Sequence, residues 1–128
     1  MILEFITILI LFILLDMIWF SISVSNIYTP AFTKIQGAPP SYRITGGLFA
    51  WVLLALGVYL FVLPMSKSST DAFIYGAIFG LIVFGVYNGT NYATFKDWNM
   101  NIFLSDVIYG TAVTSIISLI TYSIFKYK

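Results

Sequence analysis

Four stretches of about twenty residues carry almost no charge, and little of the chain lies between them. They run from Ile2 to Ile22, Gly46 to Met65, Ala72 to Ala93 and Ile102 to Phe125. A hydrocarbon layer about 30 Å thick is crossed by roughly 20 residues of helix. Irregular backbone cannot face that layer, because each unpaired N–H or C=O costs several kcal/mol there. The four stretches are therefore expected to be transmembrane helices. The fold class that follows is an all-α, four-helix membrane bundle, with residues 1–128 as one integral membrane domain. Charge supports this: 9% of the residues are charged, against about a quarter in a soluble domain.

The first run has Glu4 where a cleaved leader would carry basic residues, and no small-residue cleavage site follows it. It is expected to remain as a span. Pro30, Pro39, Pro40 and Pro64 fall between the runs or at their ends. The polar turn Lys67-Ser68-Ser69-Thr70-Asp71 makes a tight hairpin of the second and third helices, and Thr94 to Asn101 is another short connection. Only the connection from Ser23 to Thr45 is long. Within it Ile27, Tyr28, Ala31, Phe32 and Ile35 have helical spacing, which predicts a short amphipathic segment lying at the membrane interface. Trp19, Tyr28, Tyr42, Tyr92 and Trp98 sit near run ends, where aromatic rings favour the headgroup layer. Positive charge divides evenly, with Lys34, Arg43 and Lys96 on one side and Lys67, Lys126 and Lys128 on the other. The two lysines beside the last helix end tip the balance toward cytoplasmic termini.

Several functions are disfavoured at once. The net charge is +1 with no basic stripe, so no nucleic-acid partner is expected. The chain has no cysteine and no histidine, hence no disulfide, no thiolate nucleophile and none of the commonest general base. No cofactor is expected, and the nature of any metal is left open.

Asp16 is the residue that most needs a partner. It lies about 21 Å along the first helix at 1.5 Å per residue, at a depth where a carboxylate costs about 2.5 kcal/mol or more. Alternate helices run in opposite directions. The late first helix is thus level with Asn88, Thr90 and Asn91 late in the third and with Ser105 and Asp106 early in the fourth. Tyr109 follows Asp106 by three residues and can share its helix face. Two aspartates with no basic residue in the bundle call for a proton or a bound cation. The plainer reading is that such groups glue helices together, at about 0.6 kcal/mol per pair. The second helix carries no comparable group and is expected to cover the bundle from outside. Gly76 with Gly80, and Gly85 with Gly89, form two small-residue pairs on opposite sides of the third helix. Either can pack helices within one chain or between chains.

The motifs also form a family pattern. Leu15-Asp16-Met17-Ile18-Trp19 resembles a Leu-Asp-x-x-Trp motif. Tyr87-Asn88-Gly89-Thr90-Asn91-Tyr92-Ala93-Thr94 followed by Trp98 resembles Tyr-Asp-x-Thr-Asn-x-Ala-Thr with a trailing tryptophan. Asp106-Val107-Ile108-Tyr109-Gly110 resembles Asp-x-x-Trp-Gly. Together, over nearly the whole chain, they resemble the domain-of-unknown-function family DUF2177, small four-helix membrane proteins. Asn88 and Tyr109 depart from that pattern, which has aspartate and tryptophan there, and Asn88 removes a potential charge. The resemblance implies no activity, ligand or cofactor. It implies a cell membrane as location, with a viral or host internal membrane as the alternative.

Two readings remain ahead of the rest. In one, Asp16, Asn88, Thr90, Asn91 and Asp106, with Trp19 and Tyr109, line an intramembrane pocket that binds or transports a cation, a proton or a small polar ligand. In the other, the protein is structural and packs in the bilayer with itself as a homo-oligomer or with a membrane partner protein. A lipid-modifying enzyme comes last, because no catalytic motif is recognisable.

Overall fold

The computed structural model describes residues 1–125, so Lys126 and Lys128 and their bearing on orientation lie outside the described residues. Helix α1 (Ile2–Ser23) passes through one wide π turn (Val24–Tyr28) into α2 (Thr29–Gln36). After a non-helical strap, α3 (Ile44–Gly57) passes through a second π turn (Val58–Val62) into α4 (Leu63–Met65). Two uninterrupted helices follow, α5 (Ser69–Thr94) and α6 (Met100–Phe125). The four spans are therefore Ile2–Gln36, Ile44–Met65, Ser69–Thr94 and Met100–Phe125, each long and apolar enough to cross a membrane.

Side-chain caps set two of the helix starts ahead of the apolar runs. Ser68 Oγ accepts from the Asp71 N–H at 3.0 Å, while the Asp71 carboxylate accepts from the Lys67 N–H at 3.0 Å. Asn99 Oδ1 accepts from the Ile102 N–H at 2.9 Å. Each cap takes up donors that a helix start leaves unpaired, so the helix gains two or three residues on its polar side.

The two π turns share a cause. A proline inside a helix has no N–H to give to the carbonyl four residues back, and its ring crowds that carbonyl. The crowded carbonyls belong to Asn26 for Pro30 and to Leu60 for Pro64, the central residues of the two π turns. Widening the turn relieves the clash. The backbone then bonds five residues back, from Thr29 to Val24 and from Leu63 to Val58. Pro30 thus lies inside a continuous helix rather than between runs, while Pro64 stands at the end of its run, one residue before α4 stops at Met65.

The expected short amphipathic segment is present as α2, continuous with the first span. Ile27, Tyr28, Ala31, Phe32 and Ile35 do lie on helix, but that helix prolongs the first span. Its apolar side packs on Trp98, Ile102 and Phe103 rather than on lipid. Such packing buries the same stripe without a separate element. The helix ends where Gly37 takes a left-handed conformation (φ 78°) and its N–H bonds to Thr33 O, ahead of Pro39 and Pro40. Of the expected interfacial aromatics, Tyr28 and Trp98 are buried and Trp19 is partly covered, while Tyr42 and Tyr92 stay exposed.

The outside of the bundle is apolar, with Ile10, Leu14, Ile18, Ile22, Leu53, Phe61, Ile82, Val86 and Ile108 all exposed. A patch so extended is foreign to a water-soluble monomer but matches lipid. The main core joins Ile8 and Phe12 to Val58, Val62 and Leu63 and to Val113 and Ile117. The most extensive contact is between α5 and α6, and it is built on small residues. A Cβ on Gly76 would lie 2.8 Å from Thr114 O, and one on Gly80 would lie 2.5 Å from Gly110 O. The facing α6 surface carries Thr114 and Ser118, which send their hydroxyls back to the carbonyls of Gly110 and Thr114. Gly85 and Gly89 differ: a Cβ there would meet nothing within 4 Å.

The two glycine pairs should therefore respond differently to a side chain. Gly80→Val pushes against backbone that cannot swing aside and is expected to cost about 1–3 kcal/mol. Gly85→Val is expected to stay within about 0.5 kcal/mol. Unfolding the two variants in mixed micelles with rising dodecyl sulfate measures both; equal losses would refute the close α5–α6 approach.

Candidate functional site

A carboxyl group in a helical span must find donors on neighbouring helices, since its own backbone N–H groups are already used. Asp16 finds two. Tyr109 on α6 donates its hydroxyl to Oδ1 at 2.6 Å, and Trp51 on α3 donates its indole N–H to Oδ2 at 2.7 Å. Asp106 also finds two. Tyr28, the last residue of the first π turn, donates to Oδ1 at 2.6 Å, and Asn88 on α5 donates to Oδ2 at 2.5 Å. The Asn88 amide also donates to Phe84 O at 2.9 Å. All four carboxyl oxygens are occupied, each by a neutral donor.

The two carboxyl clusters are joined through aromatic rings. Trp19 stacks on Tyr109 with centroids 4.6 Å apart and planes inclined by 8°. Its indole N–H reaches the Tyr28 hydroxyl at 3.2 Å. A continuous path thus runs from Trp51 and Asp16 through Tyr109, Trp19 and Tyr28 to Asp106 and Asn88. It draws on all four spans. Both aspartates are buried, at 6% and 8% exposure, and Asn88 is fully buried. The one ion pair found among the described residues, Lys34 with Asp97, lies at the surface. Two buried polar atoms near this path have no protein partner, Asn88 Oδ1 and Trp98 Nε1. The described residues hold no group of three or more histidine, cysteine, aspartate or glutamate side chains suited to a metal ion.

Of the residues singled out in the sequence, Asp16, Trp19, Asn88, Asp106 and Tyr109 come together in this network. Thr90 and Asn91 do not reach the carboxyls. Thr90 is exposed and its carbonyl accepts from the Thr94 hydroxyl. Asn91 is partly buried.

The second span is not merely a cover, because it supplies Trp51. A tryptophan well inside an apolar run carries an N–H that a buried ring must place on an acceptor. That signal was available in the sequence. Tyr28 was harder to find. Only the continuation of the first helix past Ser23, with its register changed by the π turn, carries its hydroxyl to Asp106.

The donors can be tested singly. Tyr109→Phe and Tyr28→Phe keep the ring and remove one hydrogen bond from each carboxyl. Each is expected to lower stability in lipid by about 0.6–1.7 kcal/mol, the range of side-chain hydrogen bonds in membrane bundles. The double variant should be near the sum, apart from any coupling through Trp19, as read by a double-variant unfolding cycle.

The comparisons with known proteins agree with this architecture. A family model described as a predicted membrane protein, DUF2177, matches residues 1–123. No curated protein and no solved structure matches the chain significantly. With four spans and a match over nearly its full length, this chain belongs to the DUF2177 family of predicted membrane proteins.

Proposed function

We propose that the Asp16–Asp106 pair is an intramembrane site that takes up and releases a proton. The observation that carries this reading is the donor set: two buried carboxyls are surrounded by two tyrosines, a tryptophan and an asparagine, with no lysine, arginine or histidine. An ionised carboxylate away from water costs several kcal/mol unless a charge of opposite sign joins it. Neutral hydrogen bonds soften that cost without cancelling it. The missing positive charge is then supplied from solution, and the pair is where it is held.

Among the ligands the sequence allows, the proton fits best. Each carboxyl oxygen already accepts one hydrogen bond, which leaves a lone pair for a proton. A metal cation of the calcium type gathers six to eight oxygens around itself, and these side chains offer few that are free. Carboxyl groups within spans commonly mark proton relays and ion paths. In this reading the protein is a small multi-pass membrane protein that responds to, or carries, protons.

Infrared difference spectra in lipid between acidic and alkaline buffer test the proposal. A carboxyl C=O band that titrates is expected, weaker in Asp16→Asn and in Asp106→Asn and absent in the double variant. Sensitivity of that band to sodium or potassium at constant pH would move the assignment from proton to metal cation. A band that is absent, or untouched by both substitutions, would overturn it.

One feature favours a second, structural reading: the two carboxyls accept from donors on all four spans and so clamp the bundle. If clamping is their whole task, the asparagine variants lose stability with no titrating band to lose.

A further inference from the structure

We infer that the carboxyl pair is reached from the water on the side of the 95–99 connection, and that α2 is the gate. This rests on the proposal that the pair exchanges protons, and it adds the route and the moving part.

The two ends of the network are closed unequally. Away from the connection, Phe12 lies one turn from Asp16 and Val113 one turn from Tyr109. Behind them the core continues through Ile8, Ile117 and Val62, drawn from three spans that interlock over several turns. Toward the connection lies a smaller cluster, with Tyr28, Ala31, Trp98 and Ile102 buried and Ile27, Phe32, Ile35 and Phe103 packed against them. Ile102 lies one turn beyond Asp106 on α6, so this cluster sits between Asp106 and that membrane face. It is a cluster separate from the main core, and α2 with its π turn supplies half of it.

The attachments of α2 suit a moving element. Its inner end joins α1 through the π turn before Pro30, where the regular helical hydrogen-bond ladder is interrupted. Its outer end stops at Gly37 and leads into the non-helical segment 38–43. Between these points it is held by ring contacts, including Phe32 on Trp98 at 5.9 Å, and by the Lys34–Asp97 pair at 3.6 Å with the lysine 71% exposed. A surface pair of that kind holds weakly. Tyr28, at the root of α2, donates directly to Asp106. Swinging α2 outward therefore uncovers Asp106 and withdraws one of its donors in the same movement. The titratable groups facing Asp106 are Tyr28 from the first span, Tyr87 from α5 and, across the bundle, Asp16 and Tyr109. Lys34 and Asp97 are the charges at the outer edge of the lid.

The chain has no cysteine, so the gate can be tied by introducing two. Lys34→Cys with Asp97→Cys, bridged by a reducible bis-methanethiosulfonate linker, fastens α2 to the connection at exposed positions. In lipid vesicles, the infrared response of the carboxyl band to a pH step is then timed. The bridged protein is expected to respond about tenfold more slowly or worse, as for a lid held shut, and reduction of the linker should restore the original rate. Each single-cysteine variant treated with the same reagent also lacks the ion pair but cannot be bridged, and should respond like the reduced double variant. Equal rates for the bridged and reduced proteins would overturn the gate and leave proton uptake standing. No response in either state would overturn proton uptake, and the gate with it.

Discussion

Two carboxyl groups held inside a hydrocarbon-spanning bundle, with only neutral donors around them, set the terms for the rest of this structure. Hydrocarbon offers a carboxylate nothing, so every oxygen must be met by protein. Meeting four oxygens takes four side chains, and the four come from four different spans: Tyr28, Trp51, Asn88 and Tyr109. The helices are thereby brought into one register at one depth. In a membrane no hydrophobic force presses helices together, and polar contacts and close packing carry that work.

The remaining packing follows from this register. With Asn88 on Asp106, α5 and α6 lie side by side, and Gly76 and Gly80 let them approach backbone to side chain along the other half of their length. With Tyr109 on Asp16, α1 faces α6, and Phe12 and Ile8 meet Val113 and Ile117 further along. The molecule divides into a half toward the 95–99 connection that holds the carboxyl network and a half toward the termini that holds the main core. The proposed route to solvent lies in the first half because the apolar cluster there is the smaller of the two.

Prolines serve a constructive purpose here. Pro30 and Pro64 widen a turn each, and past Pro30 the helix runs on to Gln36. The first of these turns alters the helix register by enough to bring Tyr28 over Asp106. It also leaves α2 joined to the bundle by its least regular hydrogen bonding. The proposed site and its proposed gate thus share one residue, Tyr28.

Span number, helical class and the need for partners at Asp16 and Asp106 were determined by the sequence alone. They depend on local quantities, namely apolar run length and the cost of a charge at depth. The antiparallel order of the spans also placed Asn88 level with Asp106. The identity of the donors to Asp16 and Asp106 depended on rotation of each helix about its axis, which run length does not report. Trp51 left a legible trace, an indole N–H deep in an apolar run, whereas Tyr28 left none, because its position follows from a π turn that a proline imposes only when the helix continues through it. That continuation was decided by tertiary packing: Ala31 and Tyr28 found Trp98 and Ile102 to bury against, and a stripe that would otherwise have lain on lipid became part of the bundle.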